Sequence, residues 1–349
     1  MVKSKFSYSI SWLNFILSIF IVMIHTHFEG KYSQTSSGYE LFITAQESIA
    51  IFADCAVAAF FAISAYLLFR NFTVGEYLSK LRNKIKTLLI PYIMWSAIGL
   101  IYKIIASDEI RFEILNGSIW SALKSLIFSV GNQPLWFLTT LFLFVIISPL
   151  IYYVIRWSKF SILLLPVFAI IALVFKIGYT NILFWMPIYL LGAYVVVFEK
   201  QHIEVNGIIS SNKKLRISLL IINILAIILI YIFGIIFKDN YYLYYLYRVL
   251  SVVSIIWLFM QINWKNSPPK NMQNSFFTYC SHACIVGIST KIVSQLFNNN
   301  FISMIAGYFI SIAITIGISI LIAEILKRYL PRVYAILIGG RKDRKKEID

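Results

Sequence analysis

Ten stretches of this chain are each long and oily enough to sit in hydrocarbon. They run over residues 10–28, 48–69, 87–106, 134–154, 160–176, 181–198, 216–237, 244–263, 278–297 and 301–326. About 20 mostly apolar residues span a bilayer as a helix. A backbone in lipid must satisfy its own hydrogen bonds, so each stretch is predicted to be helical. Composition agrees: 60% of the 349 residues are hydrophobic and 13% are charged, against about a quarter charged in a soluble domain. The predicted fold class is therefore an all-α polytopic membrane protein with about ten transmembrane helices. The segment WSALKSLIFSV, residues 120–130, is too short and too polar to cross, and is predicted to lie in the interface or to re-enter. The first run is too long for a signal peptide and ends in IHTHFEG without a small-residue cleavage pattern, so it is read as a retained helix.

Charge sets the orientation. The net charge of +16 suggests nucleic acid at first sight, but the basic residues are spread over many loops and not over one face. No nucleic-acid partner is expected. With the N-terminus inside, Lys3, Lys5, the 70–86 and 200–216 loops, Arg156, Lys159, Lys265, Lys270, Lys327, Arg328 and the tail hold 23 of the 31 basic residues. The outer loops, of which 29–47 and 107–133 are the longest, carry Glu29, Glu40, Glu47, Asp108, Glu109, Glu113 and Asp239. That asymmetry is the positive-inside pattern and puts both termini in the cytoplasm. The organisation read from this is one transmembrane domain, 1–330, and a short solvated basic tail, 331–349, which a GGR turn near 339 introduces.

Ionisable residues inside a span are costly and point to function. The list here is His25, Asp54, Lys103, His282 and Glu324, with Asn14 as a neutral polar addition. Lys103 and Glu324 lie near span ends and are read as structural, since long side chains snorkel. Asn14, Ser18 and His25 share one helical face, Asn14 and His25 stacked about 16 Å apart, while His27 points away. An imidazole on a polar stripe suits general-base work, though a ring with its tip in interfacial water reads the same way. Asp54 opens the second run; it is placed to orient that imidazole, or it sits at an exposed helix start favoured by the dipole. Ser64 and Tyr66 line a cavity or serve close helix packing. Trp136, in PLWFL, belongs to an aromatic belt or to a substrate passage. Cys55, Cys280 and Cys284 lack zinc-site spacing, so no metal, no disulfide and no bound cofactor are expected.

FILSIFIVMIH, FFAISAYLLF, LRNKIKTLLIPYIMW, PLWFLTTLFLFVIISPLIY, SFFTYCSHACI and LKRYLPRVYAILIGGR occur in that order. In this order they resemble the acyltransferase-3 family of membrane acyltransferases over almost the whole chain. The resemblance implies transfer of an acyl group, often acetyl, from cytoplasmic acyl-CoA to a hydroxyl of an extracytoplasmic glycan. It assigns His25 as the catalytic base and Arg82, Lys84 and Lys86 as candidates for the CoA phosphates, which the positive-inside rule explains equally well. His282 falls at a family histidine position. Placed near the cytoplasmic end of its span, it is expected a membrane depth away from His25, as a cavity-lining residue or a hydrogen-bond donor. The chain departs from the family pattern where Asn14 replaces an arginine, Ser11 an aspartate, Ala65 a glycine, and Thr139 and Thr140 an arginine–aspartate pair.

The expected function is therefore an O-acyltransferase of a bacterial plasma membrane, with the bilayer, acyl-CoA and a glycan acceptor as its partners. Loss of the charge and five donors of an arginine at position 14 keeps a second reading open: a non-catalytic relative acting as a transporter or membrane sensor. A polysaccharide flippase or polymerase fits the span count but not the ordered motifs. The acyl group, the acceptor sugar and the oligomeric state are not specified by the sequence.

Overall fold

The computed structural model describes residues 5–28, 31–32, 38–107, 119–128, 130–201 and 213–341. Its helices are α1 (Lys5–His25), α2 (Tyr39–Ala53), α3 (Cys55–Phe69), α4 (Tyr77–Lys84), α5 (Ile90–Ala106) and α6 (Ile119–Ile127). There follow α7 (Trp136–Ile146), α8 (Ser148–Trp157), α9 (Leu164–Val174), α10 (Ile182–Gln201) and α11 (Lys213–Ile236). The chain closes with α12 (Tyr241–Gln261), α13 (Ser275–Leu296), α14 (Phe301–Tyr329) and α15 (Pro331–Leu337). Among the described residues eight helical stretches are long and apolar enough to cross a membrane. A ninth arises if α7 and α8 count as one span bent by 58°. The apolar helix Lys159–Val174 is shorter. Each of the ten sequence stretches falls on one of these. The protein is an all-α polytopic membrane protein.

Local chemistry explains the breaks. Pro149 sits in the first turn of α8, where it lacks an N–H and crowds the carbonyl four residues back, so the α7–α8 rod bends there. Pro91 acts in the same way at the start of α5, and the chain before it, Ile85–Leu89, widens into a π turn. Asn240 and Asn300 accept hydrogen bonds from the first N–H groups of α12 and α14. α6 is a single short helix with Trp120, Ile127 and Phe128 exposed, as expected of a segment that cannot span.

The described residues form two compact units, each discontinuous in sequence. The first takes in 1–24, 47–77 and 146–273. Here α3 packs on α10 through Phe61 stacked on Trp185 at 4.9 Å, and Trp12 of α1 stacks on Trp264 and donates to the Asn266 carbonyl at 2.8 Å. The second takes in 25–46, 78–145 and 274–349. Its α13 and α14 are pinned by Ser281–Ser319 (3.1 Å) and Ser289–Thr315 (2.9 Å). Lipid gives no hydrophobic drive between helices, so small side chains and such bonds do the joining.

Two expectations are corrected. The second span begins at Tyr39, not near 48, so part of the outer loop drawn at 29–47 is helix, and Asp54 is a break within one long span rather than an exposed helix start. The tail does not begin at 331. α15 follows, Leu337 and Ile338 are buried, and Gly339, at φ +68°, lies against Thr87 of the π turn so closely that a Cβ would meet it at 2.5 Å. Only a glycine fits both that backbone and that contact. Residues 342–349 lie outside the described part.

Candidate active site

The second unit builds its most unusual chemistry on α13. His282 is fully buried, and its Nδ1–H donates to the Tyr279 carbonyl one turn back, 2.5 Å away. That bond fixes the tautomer and leaves the lone pair on Nε2. Nε2 is buried and meets no hydrogen-bond partner. An unmet buried acceptor costs about 1–3 kcal/mol, so one inside a span calls for a functional explanation.

His25, the last residue of α1, supplies it. Its ring stands edge-on to His282, centroids 4.9 Å apart. This overturns the expectation that a membrane depth separates the two. His282 lies seven residues into α13, about 10 Å from Ser275 and about 21 Å from Leu296. His25 therefore stands beside the interior of α13. His25 is half-buried and His27 exposed, but the helix ends at His25, so His27 lies beyond it and its orientation is not set by the helical phase.

A rigid collar surrounds α13 at this level. Tyr279 packs edge-on to Phe137 and donates from its hydroxyl to the Pro134 carbonyl at 2.5 Å. Asn132 donates from Nδ2 to the Cys280 carbonyl at 2.9 Å, and its Oδ1 is a second buried acceptor with no partner. Gly131 permits this approach, because a Cβ there would lie 2.2 Å from the Gly99 backbone.

A second cluster lies at the start of α13. The folded-back chain end lays the Arg341 guanidinium over the Phe276 ring, 3.5 Å from its centroid, with Nη1 donating to the Ile338 carbonyl at 2.8 Å. Burial pushes the Arg341 guanidinium down to about 10. Lys84, half-buried, stands within electrostatic reach of Arg341 and Lys80, whereas Arg82 and Lys86 are exposed. Of the three basic residues named from sequence, only Lys84 joins this cluster. Arg341, assigned to the tail, was missed; the arginine of GGR was its signal. Crowded cations that repel one another invite an anion.

The comparison with known families is decisive at this point: an acyltransferase domain, acyltransferase-3, matches residues 7–324. The chain belongs to the acyltransferase-3 family. The succinoglycan biosynthesis protein ExoH of Rhizobium meliloti (strain 1021) is 32% identical over 122 residues, which cover 32% of this chain and 33% of that protein. The aligned part is thus about a third of that relative's length. No solved structure gives a significant match. The protein is a multi-pass membrane protein of the acyltransferase-3 family.

The acyltransferase-3 motif positions fall as follows. Asn14 is half-buried on α1, and Ser18, buried, turns its hydroxyl back to the Phe15 carbonyl at 2.7 Å. Ser64 is half-buried; Tyr66 is buried and packs on Phe6. Trp136 is half-buried, and the hydroxyls of Thr139 and Thr140 both donate to its carbonyl. Glu324 accepts from Asn274 (3.0 Å) and Lys327 (2.8 Å), the structural role expected of it. Asp54 pairs with Arg248 of α12, Nε to Oδ2, at 2.6 Å. Arg248 is absent from the sequence-based list, although an arginine seven residues inside YYLYYLYRVLSVVSI is a visible signal.

Proposed function

We propose that the protein moves an acyl group, acetyl as the expected case, from cytoplasmic acyl-CoA to a hydroxyl of an extracytoplasmic glycan, in a bacterial inner membrane. The observation that carries this reading is the His25–His282 pair within a family-defined acyltransferase domain. His25 takes the proton of the acceptor hydroxyl, and the oxygen attacks the acyl carbon of the thioester. The carbon–sulfur bond breaks, and the proton passes to the leaving thiolate, giving ester and free CoA. His282, locked by Tyr279, offers Nε2 to an N–H of His25 and so leaves the other His25 nitrogen as the base. General-base help of this kind supplies about 10²–10⁴-fold. Bonds of this kind are often loose before substrate binds.

The donor's position has support from the same unit. Phe276, under Arg341, is six residues before His282, about 9 Å along α13. Phosphates held by Arg341, Lys84 and Lys80 let the pantetheine arm run along α13 towards the imidazoles. A carbohydrate acceptor is supported by the name of the partial relative, a succinoglycan biosynthesis protein.

Expression in a host lacking its own glycan acylation, followed by mass analysis of the surface glycan, tests the reading. Acyl-bearing glycan with the wild type and none with His25→Ala is the expected result. No acyl group on any glycan of its own host overturns the enzyme reading. One observation favours the alternative of a non-catalytic relative: Asn14 where the family has an arginine. Under the enzyme reading Asn14→Arg raises acyl-CoA turnover; under the alternative it produces none, and vesicles take up substrate without CoA-dependent chemistry.

A further inference from the structure

The first unit holds a charged pair that acyl transfer at α13 does not use. Arg248 lies about 10 Å inside α12, counted from Tyr241. A charged side chain at such a place is expensive and functional by default. Its Nε donates to Asp54 Oδ2 at 2.6 Å, and the two side chains are 18% and 16% exposed. The guanidinium carbon sits 4.7 Å from the Tyr244 ring centroid and 5.6 Å from that of Phe184. Those two rings are packed in turn: Phe184 edge-on to Tyr245 at 4.9 Å and Tyr244 stacked on Tyr247 at 5.2 Å, while Tyr245 donates to the Phe184 carbonyl (3.1 Å) and Tyr247 to the Ile51 carbonyl (2.5 Å).

This arrangement holds the arginine from behind and leaves its front open. Asp54 takes the Nε edge alone. Among the described residues no acceptor meets Nη1 or Nη2, and neither is a buried atom lacking a partner. The four N–H donors of the planar fork are therefore left without a partner among the described residues, and neither nitrogen is fully buried. A pair that served only to join α3 to α12 would engage the fork side-on with both carboxylate oxygens, the geometry that gives such pairs their strength. A planar end-on fork matches the two oxygens of a carboxylate or phosphate.

We propose that Arg248, oriented by Asp54, is an oxyanion-binding site that takes a carboxylate or phosphate end-on. Two sources share that chemistry, an acidic sugar and an anionic lipid headgroup. The site does not rest on the transfer reading, and it stands if that reading fails.

The test is binding to the full purified chain in zwitterionic nanodiscs. Glucuronate and inorganic phosphate are compared with glucose by calorimetry, and thermal stability is then compared in phosphatidylglycerol nanodiscs. Arg248→Lys keeps a cation for Asp54 but loses the fork. The wild type is expected to bind an oxyanion probe at least about tenfold tighter than glucose, and Arg248→Lys to lose that preference. Preference for glucuronate over phosphate assigns an acidic sugar. Stabilisation of the wild type by phosphatidylglycerol, absent in Arg248→Lys, assigns a lipid. Equal binding of glucose and both anions by the wild type, with no lipid effect, overturns the site. So does a preference that Arg248→Lys retains. Should Arg248→Lys fail to fold, the wild-type arms alone decide.

Discussion

Asp54–Arg248 and His25–His282, two of the pairs of ionisable side chains among the described residues, are handled in opposite ways. Asp54–Arg248 in the first unit is charge-compensated, with a direct 2.6 Å bond and aromatic rings against the cation. His25–His282 in the second unit carries a fully buried nitrogen with nothing bonded to it. The first costs little while intact and a great deal when halved, because removal of one partner strands a charge. The second costs free energy as it stands and is best explained by a proton that arrives with substrate. The pairs differ in what is left without a partner: the Nη fork of an otherwise paired arginine in the first, an imidazole nitrogen in the second.

The largest expected effect comes from removing one imidazole. His282→Ala lowers acyl transfer by about 10²–10⁴-fold, read as CoA release from acetyl-CoA in the presence of acceptor glycan. The change also deletes an unpaired acceptor, so thermal stability falls far less than for Asp54→Ala. That second variant loses about 3–5 kcal/mol in denaturant unfolding, and the double change with Arg248→Met recovers most of it. If Asp54→Ala were as stable as the wild type, the contrast between the two pairs would break down.

Smaller effects sharpen the picture at the chain end. Arg341→Ala raises KM for acyl-CoA about tenfold and leaves kcat nearly unchanged, because it removes a charged contact away from the reacting atoms. The sign of the pH effect follows from the depressed Arg341 value. The cation is present below about 10 and lost above it, so donor binding weakens as pH rises through that point. The smallest effect belongs to Thr139→Val. Its hydroxyl bonds only the Trp136 carbonyl of its own helix, so stability changes by less than about 0.5 kcal/mol and turnover is unaltered.

Much of this was legible in the sequence, because hydropathy fixes where helices form. All ten apolar stretches became helices, although α1 ends at His25 and leaves His27 outside it. Depth was not legible. His25 stands beside the interior of α13, and only packing reveals that, so His282 was set apart from the histidine it faces. Arg248 was visible as a letter but not as a site, since its partner lies 194 residues away. The same holds for Arg341: nothing local says that Gly339 turns the chain back onto the π turn at Thr87 and carries the arginine to Phe276.

The central claim is that His25 and His282 act as one catalytic device. A double-mutant cycle on the purified protein tests it most directly, measuring CoA release with acceptor present for the wild type, His25→Ala, His282→Ala and the double variant. Residues that work as a unit are strongly non-additive. The account predicts that the double variant is no slower than His25→Ala alone. Losses that multiply, or full activity in His282→Ala, would contradict it.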